Sequence, residues 1–265
     1  MNISTQRRLL RISGATSRSF LQGLISQDIE KLSPDAAQFA TLLSPQGKIL
    51  FDFFLYDVDE SILIDCALPI ADALKKKLTL YKLRAKVAIE FDETRTVATS
   101  VDKIDAPLAW HDPRHAALGW RAIIADAAPT DGTYHARRIA AGVPEAVADF
   151  TADEIFLMDV NYDTLAGVDY KKGCFVGQEV TSRMKRKGEP RKRTAIITFD
   201  GPPPAPGSEI TAGDTTLGTC LSGVENTALA LIRIDRLAKS IERGDIPSCN
   251  SNDITVTLPA YLDNA

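Results

Sequence analysis

Lys172-Gly173-Cys174-Phe175-Val176-Gly177-Gln178-Glu179 sets one cysteine between two glycines, directly behind the pair Lys171 and Lys172. A thiol reacts as its thiolate, and nearby cations favour that anion. Gly173 and Gly177 permit tight turns or the close approach of a ligand or another backbone. Gln178 and Glu179 add an amide and a carboxylate within a few residues. Two readings follow. Cys174 is either a reactive, ligand-facing thiol on a glycine-bounded loop, or a small buried residue in a loop that merely needs glycine.

Outward from this stretch the charge is uneven. Residues 171–193 hold nine Lys/Arg, Arg183, Lys185, Arg186 and Lys187 among them, against Glu179 and Glu189. That segment is +7 on a chain of net charge −4, so the remainder is −11. A cationic stretch on an acidic protein suits a small polyanion, unless it is simply a solvated face. Phe175 is its only aromatic residue, too few for a stacking surface, and direct nucleic-acid binding is not expected.

At 265 residues, with 45% apolar and 25% charged residues, the chain has the make-up of a globular protein of two domains. Cys66, Cys174, Cys220 and Cys249 are far apart and form no metal-binding or disulfide pattern. The N-terminus has no apolar leader core and is too short before the first strand for a transit peptide. No apolar run reaches the roughly 20 residues of a membrane span. These features lead to the expectation of a reducing cytoplasm and a monomer.

Apolar periodicity predicts strands at 9–12, 39–43, 48–58, 61–66, 87–89, 96–101 and 120–125, and helices over about 15–28, from Pro69 to Tyr81, and over 131–141. After Arg193 come short strands at 194–199, 208–211, 215–221, 227–234 and 253–258 around the stiff turn Gly201–Gly207. Such spacing suggests a small β-barrel or sandwich. The expected division is 1–190 and 191–265. His111 and His115 have metal-binding helical spacing, but Pro113 between them argues against the helix. There is no P-loop, no GxGxxG and no GxSxG.

Lys171 to Gly188 resembles the signature of the YgfZ family, in which K-G-C-[FY]-x-G-Q-E precedes a basic stretch. Ile12-Ser13-Gly14-Ala15 with Phe20-Leu21-Gln22-Gly23, Leu43 to Lys48, Tyr81 to Arg84, Asp112-Pro113-Arg114 and Arg138 to Pro144 resemble it too. That family is related in fold to the T-protein of the glycine cleavage system. The resemblance implies an α+β fold: two intertwined, aminomethyltransferase-like folate-binding subdomains plus a C-terminal β-barrel. It implies an accessory role in iron–sulfur cluster assembly or repair, with tetrahydrofolate or a related folate as cofactor. The implied partners are iron–sulfur assembly proteins and clients such as a tRNA methylthiotransferase.

By the same resemblance Cys174 is the working thiol, Lys172 and Arg183 favour its thiolate, and Gln178, Glu179, Gly173 and Gly177 shape the ligand loop. Two tryptophans that flank the folate site in one branch of the family fall here at Arg7 and Tyr134, which leaves Tyr134 to pack on the pterin. The acid pair that serves aminomethyl transfer in T-proteins is replaced by Gly47-Lys48-Ile49-Leu50-Phe51, with Asp52 off register. A folate-dependent one-carbon transferase using Asp52 is therefore the first alternative, and an RNA-binding module acting through 171–193 the second.

Overall fold

A computed structural model of the chain describes residues 6–125, 132–188 and 190–263. Strands β1 (Arg7–Ser13), β2 (Gln38–Leu43), β3 (Ile49–Val58), β4 (Ser61–Ala67) and β5 (Ala88–Asp92) form an antiparallel sheet in the order β2-β3-β4-β1-β5. The β3–β4 hairpin turns on Asp59 and Glu60, both left-handed at φ 53° and 57°. That is the geometry a two-residue hairpin demands. Side chains alternate across a strand. Leu10, Ile12, Phe53, Leu55 and Ile64 therefore face the helices α1 (Ser17–Gln22) and α2 (Leu68–Lys82), packing on Leu21, Leu74 and Leu78. Leu9, Phe54, Tyr56 and Leu63 face the opposite way, into a second core with Val143, Phe150, Tyr162 and Phe175.

The helix expected over 15–28 stops at Gln22. Ile25 leaves it to bridge Leu42 on β2, and Ser26 hydrogen-bonds Thr41. Pairing with the sheet edge thus overrides an apolar spacing that reads as helical. α2 begins as expected, with Pro69 in its first turn.

A second sheet holds β6 (Thr96–Ser100), β7 (Ala109–His111) and β8 (Trp120–Ile124) in the order β6-β8-β7. α3 (Tyr134–Ala140) follows, and Gly142, at φ 72°, lies just beyond its end. Residue 131 of the expected helix lies outside the described residues. Residues 143–177 hold no named helix or strand; they fill the second core and lead into α4 (Gln178–Arg186).

β9 (Lys192–Phe199), β10 (Glu209–Ala212), β11 (Thr215–Val224), β12 (Thr227–Arg233), β13 (Pro247–Cys249) and β14 (Asn252–Thr257) close a barrel in the order β10-β11-β12-β9-β14-β13. The sequence pattern missed the helix α5 (Ile234–Arg243) between β12 and β13. Polar ties fasten the barrel to the rest. Arg193 pairs with Asp163 at 2.6 Å. The Asn161 amide donates to the Thr194 carbonyl and to the Tyr261 hydroxyl, and that hydroxyl donates to the Gly142 carbonyl at 2.6 Å. Among the described residues no helix is long and apolar enough to cross a membrane.

Candidate functional site

The loop that carries Cys174 is pinned on both sides. Lys172, 6% exposed, points inward, and its ammonium donates to the carbonyls of Gln22, Ile25 and Gln27 at 2.8, 2.6 and 2.8 Å. Gln22 is the last residue of α1, where helix geometry leaves carbonyls unpaired, and Ile25 and Gln27 lie in the loop that follows. Phe175 is buried in the second core. Gly177 caps α4 at φ 82°, and a Cβ there would stand 2.7 Å from the Ser44 carbonyl oxygen. Gly47, in the turn of the β2–β3 hairpin, would likewise drive a Cβ to 2.9 Å from Val180. Motif and hairpin turn therefore meet through two glycines. Gly173 differs: nothing lies within 4 Å of its missing Cβ.

Cys174 sits exposed at the crown of this loop, whereas Cys66, Cys220 and Cys249 are buried. Burial pushes the Cys66 and Cys220 thiols up to about 12, so both stay protonated and inert. The Lys172 ammonium occupies its carbonyl cage, which makes it a strut for the loop rather than a free charge beside the thiol. Burial also pulls its pKa down to about 8. Arg183 and Glu179 are exposed on α4, and Gln178 is half-buried. Glu179 lies in the first turn of α4, where a carboxylate complements the helix dipole.

A second constellation lies on the inner face of the first sheet. Arg7 of β1 and Arg121 of β8 each hold one oxygen of Asp65 on β4, both at 2.6 Å. Arg114 grips Asp112 with two hydrogen bonds, at 2.9 and 2.7 Å, and reaches Glu145 at 2.8 Å. Arg138 of α3 pairs with Asp149 at 2.6 Å and donates to Ser222 on β11 at 2.8 Å. Phe54 lies under the guanidinium groups of Arg121 and Arg114, at 3.7 and 4.6 Å. Four guanidinium groups thus face four carboxylates out of water, a state that persists only when every partner is in place. Arg138 Nε is buried and makes no hydrogen bond, lying 3.8 Å from Glu145 Oε2.

Tyr134 belongs to this cluster. It is 6% exposed; its hydroxyl donates to Glu145 and accepts from Arg114. Burial pushes its phenol up to about 12. Burial also raises the Glu145 carboxyl, but Arg114, Arg138 and Arg7 outweigh it and hold it at about 2. Asp52 lies close by, accepting from the Tyr162 hydroxyl at 2.6 Å and the Ala146 amide at 2.9 Å. Its burial outweighs those bonds and raises its pKa. His111 and His115 share no helix: His111 lies on β7 against Trp120, and His115 accepts from the Ala117 amide. Sequence reading assigned no role to Asp65, Arg121, Glu145 or Asp149. The one available signal was a lone charge inside an apolar strand, as in Ile62-Leu63-Ile64-Asp65-Cys66 and Trp120-Arg121-Ala122-Ile123.

This architecture is that of the aminomethyltransferase T fold. The crystal structure of glycine cleavage system aminomethyltransferase T from Bartonella henselae superimposes with a TM-score of 0.70 over 97% of this chain and 84% of that one. At 13% identity that likeness speaks for fold alone. Residues 191–263 match the C-terminal β-barrel domain of CAF17. Human iron–sulfur cluster assembly factor IBA57, a mitochondrial protein, is 31% identical in an alignment that covers 87% of this chain and 76% of the human one. The Neurospora crassa IBA57 homologue, also mitochondrial, is 28% identical over 96% of this chain and 74% of its own. The chain belongs to the IBA57 family of iron–sulfur cluster assembly factors. The mitochondrial naming of these relatives overturns the cytoplasmic placement expected above. Unpaired cysteines report a reducing compartment without saying which one.

Proposed function

We propose that this protein is an accessory factor for iron–sulfur cluster assembly or repair. In this reading residues 1–190 hold a reduced folate, residues 191–265 form the appended barrel, and the molecule acts as a monomer through Cys174. The observation that carries the reading is the exposure of Cys174 on a loop braced by Lys172, Phe175 and Gly177, with the other three thiols buried. Assembly proteins and client enzymes would meet the protein at that thiol, a tRNA methylthiotransferase among them, as the YgfZ resemblance implies.

The folate part rests on the fold and on the donor set of the buried cluster. A pterin edge presents both N–H donors and a carbonyl acceptor. Tyr134 and one oxygen of Glu145 are committed to the cluster, which leaves Glu145 Oε2 as acceptor and the Arg138 Nε–H, 3.8 Å from it and without a hydrogen bond, as donor toward such an edge. The exposed cations Arg183, Lys185, Arg186 and Lys187 suit the glutamate tail of a folate. Bound folate would supply a reduced one-carbon carrier.

Two experiments test the proposal. Titration calorimetry with tetrahydrofolate should give saturable heat. At a hundredfold excess over the dissociation constant, linkage adds about 2.7 kcal/mol of stability. Neither heat nor thermal stabilisation at millimolar ligand removes the folate. Separately, Cys174 should be alkylated by iodoacetamide faster than Cys66. Cys174→Ser should fold normally yet fail to restore iron–sulfur enzyme activity in cells lacking the protein. Full restoration by the serine variant, with no faster labelling, refutes the thiol role.

A further inference from the structure

One sequence motif remains without a role. Tyr81-Lys82-Leu83-Arg84 closes α2 on the outer side of the first sheet, far along the chain from the cysteine loop. A groove of about 610 Å³ runs along this helix, lined by Phe51, Ala73, Lys76, Leu80 and Leu83. Its extent from residue 73 to residue 83 corresponds to about 15 Å of helix at 1.5 Å per residue. Leu80 and Leu83 are 68% and 88% exposed. Leu83 also holds a left-handed backbone, φ 43°, a strained state for a large side chain.

Charge supplies the second observation. Lys75, Lys76, Lys77, Lys82, Arg84 and Lys86 surround the groove's helix, with Asp72 the one acid over residues 68–86. None of these six cations lies within ion-pair distance of a carboxylate among the described residues. Elsewhere the chain pairs its arginines closely, as in the buried cluster. Lys75 and Lys77 lie over the Phe91 and Tyr81 rings, at 4.4 and 5.3 Å, and cations with no carboxylate partner beside exposed leucines, on a protein of net charge −4, complement an apolar surface that brings its own acids.

We propose that this groove docks an acidic amphipathic helix of a partner protein, with leucine or aromatic anchors in the slot and Asp or Glu against the lysines. The groove's length, about 15 Å, matches roughly three turns of a partner helix, and a bilayer is the competing occupant that vesicle binding decides. Anchors at i, i+3, i+4 and i+7 present the spacing that such a groove reads. The surface is independent of the thiol and folate readings above.

The test uses the full chain and a fluorescein-labelled acidic peptide carrying leucine at i, i+3, i+4 and i+7. A peptide of identical composition with scattered leucines is the control, and phosphatidylserine-containing vesicles are run in parallel. Anisotropy should show saturable binding of the patterned peptide alone, weakening as salt screens the charges. The double variants Lys76→Glu/Arg84→Glu and Leu80→Ser/Leu83→Ser change only exposed side chains. Each should retain the wild-type circular dichroism and weaken binding about tenfold or more. Equal binding of the scattered peptide, no effect of either double variant, or capture by vesicles without peptide binding overturns the proposal.

Discussion

Lys172→Met tests whether the cysteine loop hangs on a buried ammonium. The wild-type side chain makes three hydrogen bonds to main-chain carbonyls, and the one to Ile25 is fully buried. Hydrogen bonds to a charged group contribute about 1.5–3 kcal/mol each, so the set is worth about 4.5–9 kcal/mol. Against this stands the cost of burying the charge. The fall in pKa from 10.5 to about 8 corresponds to about 3 kcal/mol at 1.36 per unit, which methionine recovers. The balance leaves about 1–6 kcal/mol of destabilisation. At this size that lowers Tm by at least about 2 °C. A global assay is not enough, because the effect should begin locally. Limited proteolysis should cut Lys172→Met first between residues 170 and 177, while the barrel stays protected. A variant with wild-type Tm and an equally protected loop would show that the carbonyls find other donors and that Lys172 is no strut.

Three further outcomes are expected. Glu145 titrates at about 2 in the fold against 4.5 unfolded, so its contribution, at most about 3 kcal/mol, is present above pH 4.5 and lost as pH falls through 2. Glu145→Gln should show a shallower acid limb in urea titrations over that window. Asp159 is the opposite case, raised to about 6 by burial from 3.8, so the folded state holds a proton that the unfolded chain releases, and stability declines as pH rises between those values. Asp159→Asn should therefore gain up to about 3 kcal/mol over wild type at pH 7 and well under about 1 kcal/mol at pH 4, a difference that vanishes if the carboxyl titrates normally. Gly177→Ala should cost about 2 kcal/mol or more in chemical denaturation, from its positive φ and the clash with Ser44, whereas Gly173→Ala should stay within about 0.5 kcal/mol. Similar losses at both positions would contradict the steric account.

Local rules made much of the fold legible. Alternation and the Asp59-Glu60 pair located the β3–β4 hairpin, and the spacing of Leu74 and Leu78 placed the buried face of α2. Short strands at regular spacing announced the barrel, yet α5 within it went unseen, because its apolar residues continue those of β12. The cysteine loop was legible as a motif, but the inward turn of Lys172 was not. Its three acceptors lie about 150 residues upstream and are backbone atoms, which leave no mark in a sequence. The buried ionic cluster was hidden for a related reason. Arg7, Asp65 and Arg121 come from three strands, separated by 58 and 56 residues. Each looks like a solitary charge until the sheets bring them together.

The tie from Tyr261 to the Gly142 carbonyl sets an order of events during synthesis. That carbonyl lies just past α3, 119 residues before the hydroxyl that satisfies it. The Asn161 amide likewise waits for residues 194 and 261. While the chain emerges from the ribosome, the first two sheets can pair and bury their apolar faces, but the seam toward the barrel stays open to water. It closes when β14 has joined β9 and the turn at 260–262 swings back across it. Main-chain groups at the seam thus stay wet until residue 261 has emerged and folded back. A chain cut upstream of residue 261 would keep both sheets yet leave that junction unsealed, with the Gly142 carbonyl short of the hydroxyl that satisfies it.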